Sequence, residues 1–302
     1  MTAIASWLKA FRLRTLPLAI STIAMGSFLA ASEKNFSLAV LVLSIITTLF
    51  LQVLSNLAND YGDTVHGADS KERMGPSRTV QSGAINLQSM KTAIVIFASL
   101  AFLSGIVLIY LALGSISGFY PLFFFVLGLG AIAAAIKYTA GKNPYGYKGW
   151  GDLFVFLFFG MVGVGGSYFL HTQHFTMDIL LPSASVGLLC AGVLNVNNMR
   201  DRISDANSGK ITMAVRLGVI KSKYYHLGLI LTAWILILIY TFINFQSPVQ
   251  LIYLISIPLF AIHLLNVFRN REPVLLDAQL KSLVLSTLVY CITFGISQLL
   301  IA

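Results

Sequence analysis

Nine mostly apolar runs, at 16–32, 38–58, 92–113, 120–137, 153–170, 179–196, 225–244, 251–268 and 283–301, dominate this 302-residue sequence. Crossing the hydrocarbon of a bilayer takes about 20 such residues in a helix. Every backbone N–H and C=O at that depth needs a partner within the protein, which repeated runs of this length meet only as helices. The rest of the composition agrees. Charged residues make up 10% of the chain and hydrophobic ones 57%, whereas a soluble domain carries about 25% charged residues to face water. The expectation is an all-α integral membrane protein with nine transmembrane helices, forming one domain over 1–302 in the lipid bilayer.

The bases test that count. Nineteen of the 20 lysines and arginines fall in the N-terminal segment and in the connections after runs two, four, six and eight; the other side keeps only Lys34. Basic loops stay on the cytoplasmic side, so the N-terminus is expected in the cytoplasm and the C-terminus outside. The net charge of +9 is therefore a topology signal, and no nucleic-acid partner is expected. Residues 1–15 are amphipathic and basic rather than a cleavable signal. Cys190 and Cys291 lie inside apolar runs and read as small buried hydrophobes. The five histidines lack zinc-site spacing.

The connections expected inside are long and chemically loaded, near 59–91, 137–152 and 197–224. Two acidic clusters sit there. One reads Asn56-Leu-Ala-Asn59-Asp60-Tyr61-Gly62-Asp63, with Asp69 beyond it; the other contains Asn195, Asn197, Asn198, Arg200, Asp201 and Asp205. If the runs stay helical to their ends, Asn56, Asp60 and Asp63 share one face, as do Asn197, Asp201 and Asp205. Acids at membrane depth are costly and mark function. A donor set of carboxylates and amides, without His or Cys, suits Mg²⁺. Arg78, Arg200 and Lys210 stand beside the clusters and Lys142 lies between them, ready to neutralise a diphosphate. Arg73 also follows the first cluster.

A transporter or divalent-cation carrier is the alternative from another class. Transporters keep their polar groups near the midplane on interrupted, often inverted, helix repeats. Here the acids lie at helix ends on one side, four runs apart, so the two helices run in the same direction. Both points favour an enzyme.

The pattern Asn59-Asp60-x-x-Asp63, then Arg78-Thr-Val-Gln-Ser82-Gly83, then Asp201-x-x-x-Asp205, resembles the UbiA superfamily of intramembrane aromatic prenyltransferases. Stretches 13–18, 56–83, 138–160 and 197–218 resemble it in the same order, and nine helices in a UbiA-type bundle is the family's count. Within it, the similarity is strongest to the branch acting on 1,4-dihydroxy-2-naphthoate in menaquinone biosynthesis. The superfamily's longer Asp-x-x-Asp-x-x-x-Asp form has Gly67 at its third acid position here, with Asp69 two residues later, a spacing that fits the naphthoate branch.

The resemblance implies that Asp60, Asp63, Asp201 and Asp205 bind Mg²⁺-diphosphate, helped by Asn56, Asn59 and Asn197. It implies transfer of a polyprenyl group from prenyl diphosphate to 1,4-dihydroxy-2-naphthoate with loss of CO₂, giving demethylmenaquinone. The enzyme would sit in the inner (plasma) membrane with its active site facing the cytoplasm. Other UbiA acceptors, namely 4-hydroxybenzoate, homogentisate or a lipid, remain alternatives. An allylic cation needs a dry cavity and aromatic faces, for which Tyr61, Tyr138, Tyr145, Tyr147 and Phe154 are candidates. Asp152 is placed to orient or deprotonate an acceptor hydroxyl; helix capping explains it equally well. Lys142 suits either the diphosphate or the acceptor carboxylate.

Overall fold

The computed structural model describes residues 3–67, 75 and 78–302. A short amphipathic helix, α1 (Ala3–Phe11), leads through a turn, where Arg12 takes a φ of 51°, into α2 (Leu16–Ser32). Then follow α3 (Leu38–Val65), α4 (Leu87–Leu113) and α5 (Phe119–Lys137). The chain continues as α6 (Gly151–Thr172), α7 (Met177–Asn207), α8 (Met213–Ile243), α9 (Pro248–Arg269) and α10 (Pro273–Leu299). With α1 and α2 taken as one run, nine helices among the described residues are long and apolar enough to cross a membrane. Each apolar run of the sequence coincides with one of them to within two residues at its end. This is a multi-pass membrane protein.

Local chemistry sets the ends. The Ser37 hydroxyl accepts from Val40 N at the start of α3, Asn86 Oδ1 accepts from Ser89 N at 2.7 Å to open α4, and Thr212 caps α8 in the same way. Such side chains satisfy N–H groups that the helix leaves unpaired. At the other end of α4, Gly114 takes a φ of 69°, a left-handed stop that glycine adopts without strain.

The structure adds to the sequence expectation in three places. First, α3 and α7 run on past the apolar stretches to Val65 and Asn207. The 28 residues of α3 rise about 42 Å, more than the roughly 30 Å of hydrocarbon, so its acidic end projects beyond the core. Second, the middle of α6, Phe156–Gly166, is wound as a π-helix. It passes α7 very closely: a Cβ on Gly160 would lie 2.5 Å from the Ser183 carbonyl oxygen. Small residues permit this approach, which matters where lipid supplies no hydrophobic drive between helices. Third, α8 is broken at Gly218 (φ 73°, ψ −176°).

Burial divides the bundle unevenly. Within its apolar window α7 is 72% buried and α5 only 11%, so α7 is the central post and α5 faces outward. One core, with Tyr168, Leu189, Ile230, Tyr253, Tyr290 and Phe294, gathers around α7. A smaller one, with Leu54, Leu57 and Met90, joins α1, α3 and α4.

Candidate active site

A long cavity lies between α3, α4, α5, α6 and α7, and its polar mouth is where the ends of α3 and α7 meet. Asn56, Asn59, Asp63, Arg78, Asn197 and Lys210 line that mouth, and Tyr138, Tyr145 and Phe154 stand just below. Deeper, the lining is apolar, through Phe102, Leu129 and Val162 to Leu170. A polar mouth above a long, mostly apolar channel is the shape an amphiphilic substrate requires.

Asp63 and Asp205, from α3 and α7, are joined through one ammonium. Lys210 Nζ lies 3.7 Å from Asp63 Oδ1 and 3.4 Å from Asp205 Oδ1, with all three side chains nearly fully buried. Lys210 reaches this point because the chain turns after α7: its N–H bonds the Asp205 carbonyl at 2.8 Å. Arg78 Nη2 donates to Asp63 Oδ2 at 2.7 Å, and the Tyr147 hydroxyl donates to Asp63 Oδ1 at 3.1 Å. The Tyr147 ring also lies under Lys210, 5.7 Å from Nζ to centroid. Burial pulls the Lys210 ammonium toward neutrality, but Asp63 and Asp205 outweigh it and hold its pKa well above the usual lysine value. Burial, with Asp63 adding, raises the Tyr147 phenol.

The other two aspartates are held differently. Asp60 Oδ2 accepts from Thr79 Oγ1 at 2.6 Å and Thr79 N at 3.1 Å, and its Oδ1 faces Val80 N at 3.4 Å. Asp60 thus anchors the 78–83 turn. Arg200 grips Asp201 by Nε and Nη2, and its Nη2 also donates to Asn197 Oδ1 at 2.8 Å. Arg200 Nη1 bonds Asp277, and Arg14 holds the other Asp277 oxygen.

Asn56, Asn59 and Asp63 line the cavity, whereas Asp60, Asp201 and Asp205 do not: Thr79 and the backbone beyond it hold the Asp60 carboxylate, Arg200 holds Asp201, and Asp205 meets the mouth through Lys210. Asn56 is tied by Nδ2 to the Phe11 carbonyl at 3.0 Å and Thr15 Oγ1 at 3.3 Å. Asn59 accepts from Thr139 Oγ1 at 3.0 Å. That contact is close because Gly62 lets α3 approach: a Cβ there would sit 2.5 Å from the Thr139 carbonyl.

Tyr138 lines the cavity wall, edge-on to Tyr145 at 5.4 Å; burial raises its phenol, partly offset by Lys210. Tyr145 stacks on Phe154 at 4.0 Å. Asp152, in the first turn of α6, is buried and accepts from the Tyr225 hydroxyl at 2.9 Å; its own helix start at Trp150 carries no side-chain cap. Lys142 departs from expectation: it is exposed and does not line the cavity, because the 141–143 turn carries it outward. Asp69 and Arg73 lie outside the described residues. Thr79, Thr139 and Asp277 are the partners that sequence reasoning missed. Thr79 lies inside the Arg78–Gly83 motif, while Asp277 stands in the first turn of α10, far along the chain from either acidic cluster.

The donor set fits a hard cation. No group of three or more His, Cys, Asp or Glu side chains converges among the described residues. The buried Asp205 Oδ2, however, has no hydrogen-bond partner, beside Asp63 across the Lys210 bridge. A Mg²⁺ held by one or two carboxylates, waters and substrate phosphate needs no more protein ligands than this.

The UbiA prenyltransferase family profile matches residues 19–288. The chain belongs to the UbiA prenyltransferase family. Two bacterial relatives are similar from end to end, both 1,4-dihydroxy-2-naphthoate octaprenyltransferases. The Haemophilus influenzae protein is 41% identical over 97% of this chain and 96% of its own length. The Escherichia coli protein is 38% identical with the same coverage. The UbiA fold is equally clear: a UbiA homologue from Archaeoglobus fulgidus bound to GPP and Mg²⁺ superposes with a TM-score of 0.69 at 16% identity, over 97% of this chain and 99% of that one. As a UbiA-family chain, this is a prenyltransferase.

Proposed function

We propose that this enzyme transfers a polyprenyl group from prenyl diphosphate to 1,4-dihydroxy-2-naphthoate with Mg²⁺, releasing diphosphate and CO₂ and giving the demethylmenaquinone skeleton. The observation that carries the donor half is the Asp63–Lys210–Asp205 bridge at the mouth of an apolar cavity. The acceptor half rests on the naphthoate octaprenyltransferases that match 97% of the chain.

Asp63 and Asp205 would hold the metal, with Asp201 next along α7, and Asp60 would fix the turn that presents Arg78. When bound, Mg²⁺ supplies the charge that lets diphosphate leave. Arg78 and Lys210 donate to the diphosphate oxygens as the allylic C–O bond breaks and its electron pair goes to the leaving oxygen. Tyr138, Tyr145 and Phe154 offer ring faces to the cationic carbon, and the apolar walls below exclude water that would quench it. The acceptor's ring carbon bearing the carboxylate forms the new C–C bond. Its carboxylate then departs as CO₂, and the pair from the broken C–C bond restores the ring. Asp152, held by the Tyr225 hydroxyl, would orient an acceptor hydroxyl. The distribution of bases supports a cytoplasmic mouth in the inner (plasma) membrane.

The test is an assay in reconstituted vesicles with Mg²⁺, octaprenyl diphosphate and carboxyl-labelled acceptors. Dihydroxynaphthoate should yield a prenylated product and labelled CO₂ in equal amounts. Preference for 4-hydroxybenzoate, or product that keeps the label, would overturn the acceptor assignment.

A further inference from the structure

Two histidines are sealed inside the bundle, and neither lines the cavity. His226 on α8 and His263 on α9 are each 0% exposed, and their Nε2 atoms stand 2.8 Å apart. A neutral imidazole offers one donor and one acceptor, so one ring gives its Nε2 proton to the lone pair of the other. Neither Nδ1 has a hydrogen-bond partner; Gln279 of α10 comes near the His263 ring without closing a bond to that atom. A Cβ on Gly192 of α7 would lie 3.5 Å from His226 Cε1, so the ring is closed in. Each histidine is therefore held by the other, and removing one strands its partner, which costs more than the bond itself contributes. Ionisable groups this deep in a membrane bundle are expensive and mark function.

The pair belongs to a turn of α8 that is fastened to three other helices. The Ser222 carbonyl accepts from Asn195 Nδ2 of α7 at 3.2 Å. Lys223 Nζ donates to the Phe268 and Asn270 carbonyls at the end of α9, at 3.0 and 2.7 Å. The Tyr225 hydroxyl donates to Asp152 of α6 at 2.9 Å, and His226 meets His263. The reason so many ties gather here lies one turn earlier, where Gly218 leaves helical geometry. The backbone ladder is interrupted there, so the chain beyond begins like a new helix, whose first turn lacks intrahelical partners. Successive residues point about 100° apart around a helix. Tyr225 and His226 therefore press on different neighbours, and the grip on α9 sets how Tyr225 meets α6.

We propose that the His226–His263 pair is a positioning device for the acceptor half of the reaction. It braces the turn of α8 that carries Tyr225, and Tyr225 in turn aims the Asp152 carboxylate. Neither histidine touches a substrate; both act through that one hydroxyl. The inference rests on the acceptor role given to Asp152 above.

The experiment uses the full-length enzyme in vesicles with Mg²⁺, with acceptor and donor varied in turn. His226→Leu breaks the pair. It should raise the acceptor KM by about fivefold or more and leave the donor KM within about twofold. His226→Gln, whose amide reaches the place of Nε2, should bring the acceptor KM back. The double variant His226→Leu/His263→Leu leaves no ring unpaired, and it should show the same acceptor defect if the single variant fails to fold. A 3-fluorotyrosine at position 225 reads the phenol's hydrogen bond without turnover. Its fluorine resonance should move in His226→Leu as it does in Asp152→Asn, and stay in place in His226→Gln. A resonance that stays put when the pair is broken, or donor and acceptor KM rising together, would overturn the brace. A resonance that moves while Asp152→Asn leaves the acceptor KM unchanged would uphold the brace and overturn the acceptor role of Asp152.

Discussion

Arg200 clasps Asp201 through two near-parallel hydrogen bonds, Nε to Oδ1 at 2.9 Å and Nη2 to Oδ2 at 2.7 Å. Bidentate pairs of this kind are strong and geometrically specific, and this one is sealed, with side-chain exposures of 1% and 5%. A cation approaching Asp201 must therefore compete with Arg200. Asp277, which takes the other edge of the same guanidinium, gives Arg200 a second anion to lean on. Asp277→Asn is expected to raise the half-saturating Mg²⁺ concentration several-fold, with Asp277→Glu restoring most of it. A Mg²⁺ titration of transfer rate, alongside thermal unfolding of each variant, checks this; loss of stability with an unchanged Mg²⁺ requirement would leave Asp277 a merely structural tie.

Among the described residues, Lys210 carries the one positive charge shared by Asp63 and Asp205. Removing it by Lys210→Met leaves two buried carboxylates facing each other and takes a donor from the diphosphate. Transfer should fall by about 10²–10³-fold, the usual cost of losing one donor to developing negative charge. Lys210→Arg should recover part of it. Initial rates at saturating donor decide the matter, and a variant within threefold of wild type contradicts the assigned role.

Thr79 tests the separation between Asp60 and Asp63. Thr79→Val deletes the 2.6 Å bond to Asp60 Oδ2 while keeping side-chain volume. A hydrogen bond to a charged group contributes about 1.5–3 kcal/mol, so the 78–83 turn should loosen. Tryptic cleavage at Arg78 is the readout, expected to quicken in the variant and to slow again when prenyl diphosphate is added.

The acceptor role proposed for Asp152, which accepts from the Tyr225 hydroxyl, is tested at both residues. Tyr225→Phe and Asp152→Asn should each raise the acceptor KM or lower kcat tenfold or more. The donor KM should stay within about twofold, because neither residue reaches the mouth; ten- to hundredfold effects are usual for such positioning and acid–base groups. Steady-state kinetics with each substrate varied in turn separate the two, and a donor KM that moves with the acceptor's would place the pair elsewhere.

The bundle was legible in the sequence because hydrocarbon makes a blunt demand, and nine runs of the right length answer it. The acid clusters were legible as meeting at one end of the bundle. Their facing was not: spacing on a helix puts Asn56, Asp60 and Asp63 on one face, but it knows nothing of Thr79, sixteen residues beyond Asp63, which draws Asp60 away. Lys142 looked suitable by position between the clusters, yet its turn points outward. The π-helical stretch of α6, Phe156–Gly166, is apolar like the other spans; its four glycines hint at close packing, but not at the winding that the approach to α7 accompanies. Asp277 reads as an ordinary helix-start acid until folding brings it 77 residues back to Arg200.

The uneven burial of the bundle has a bearing on how such an enzyme can be retuned. The carboxylate of Asp205 and the guanidinium of Arg200 ride on the most enclosed helix, where a misplaced atom disturbs many neighbours. The far wall is thinner, and α5 above all turns most of its length outward. Changes there can lengthen, shorten or widen the berth for a hydrocarbon chain while the reactive end keeps its register, so that reach and reactivity are adjustable one at a time.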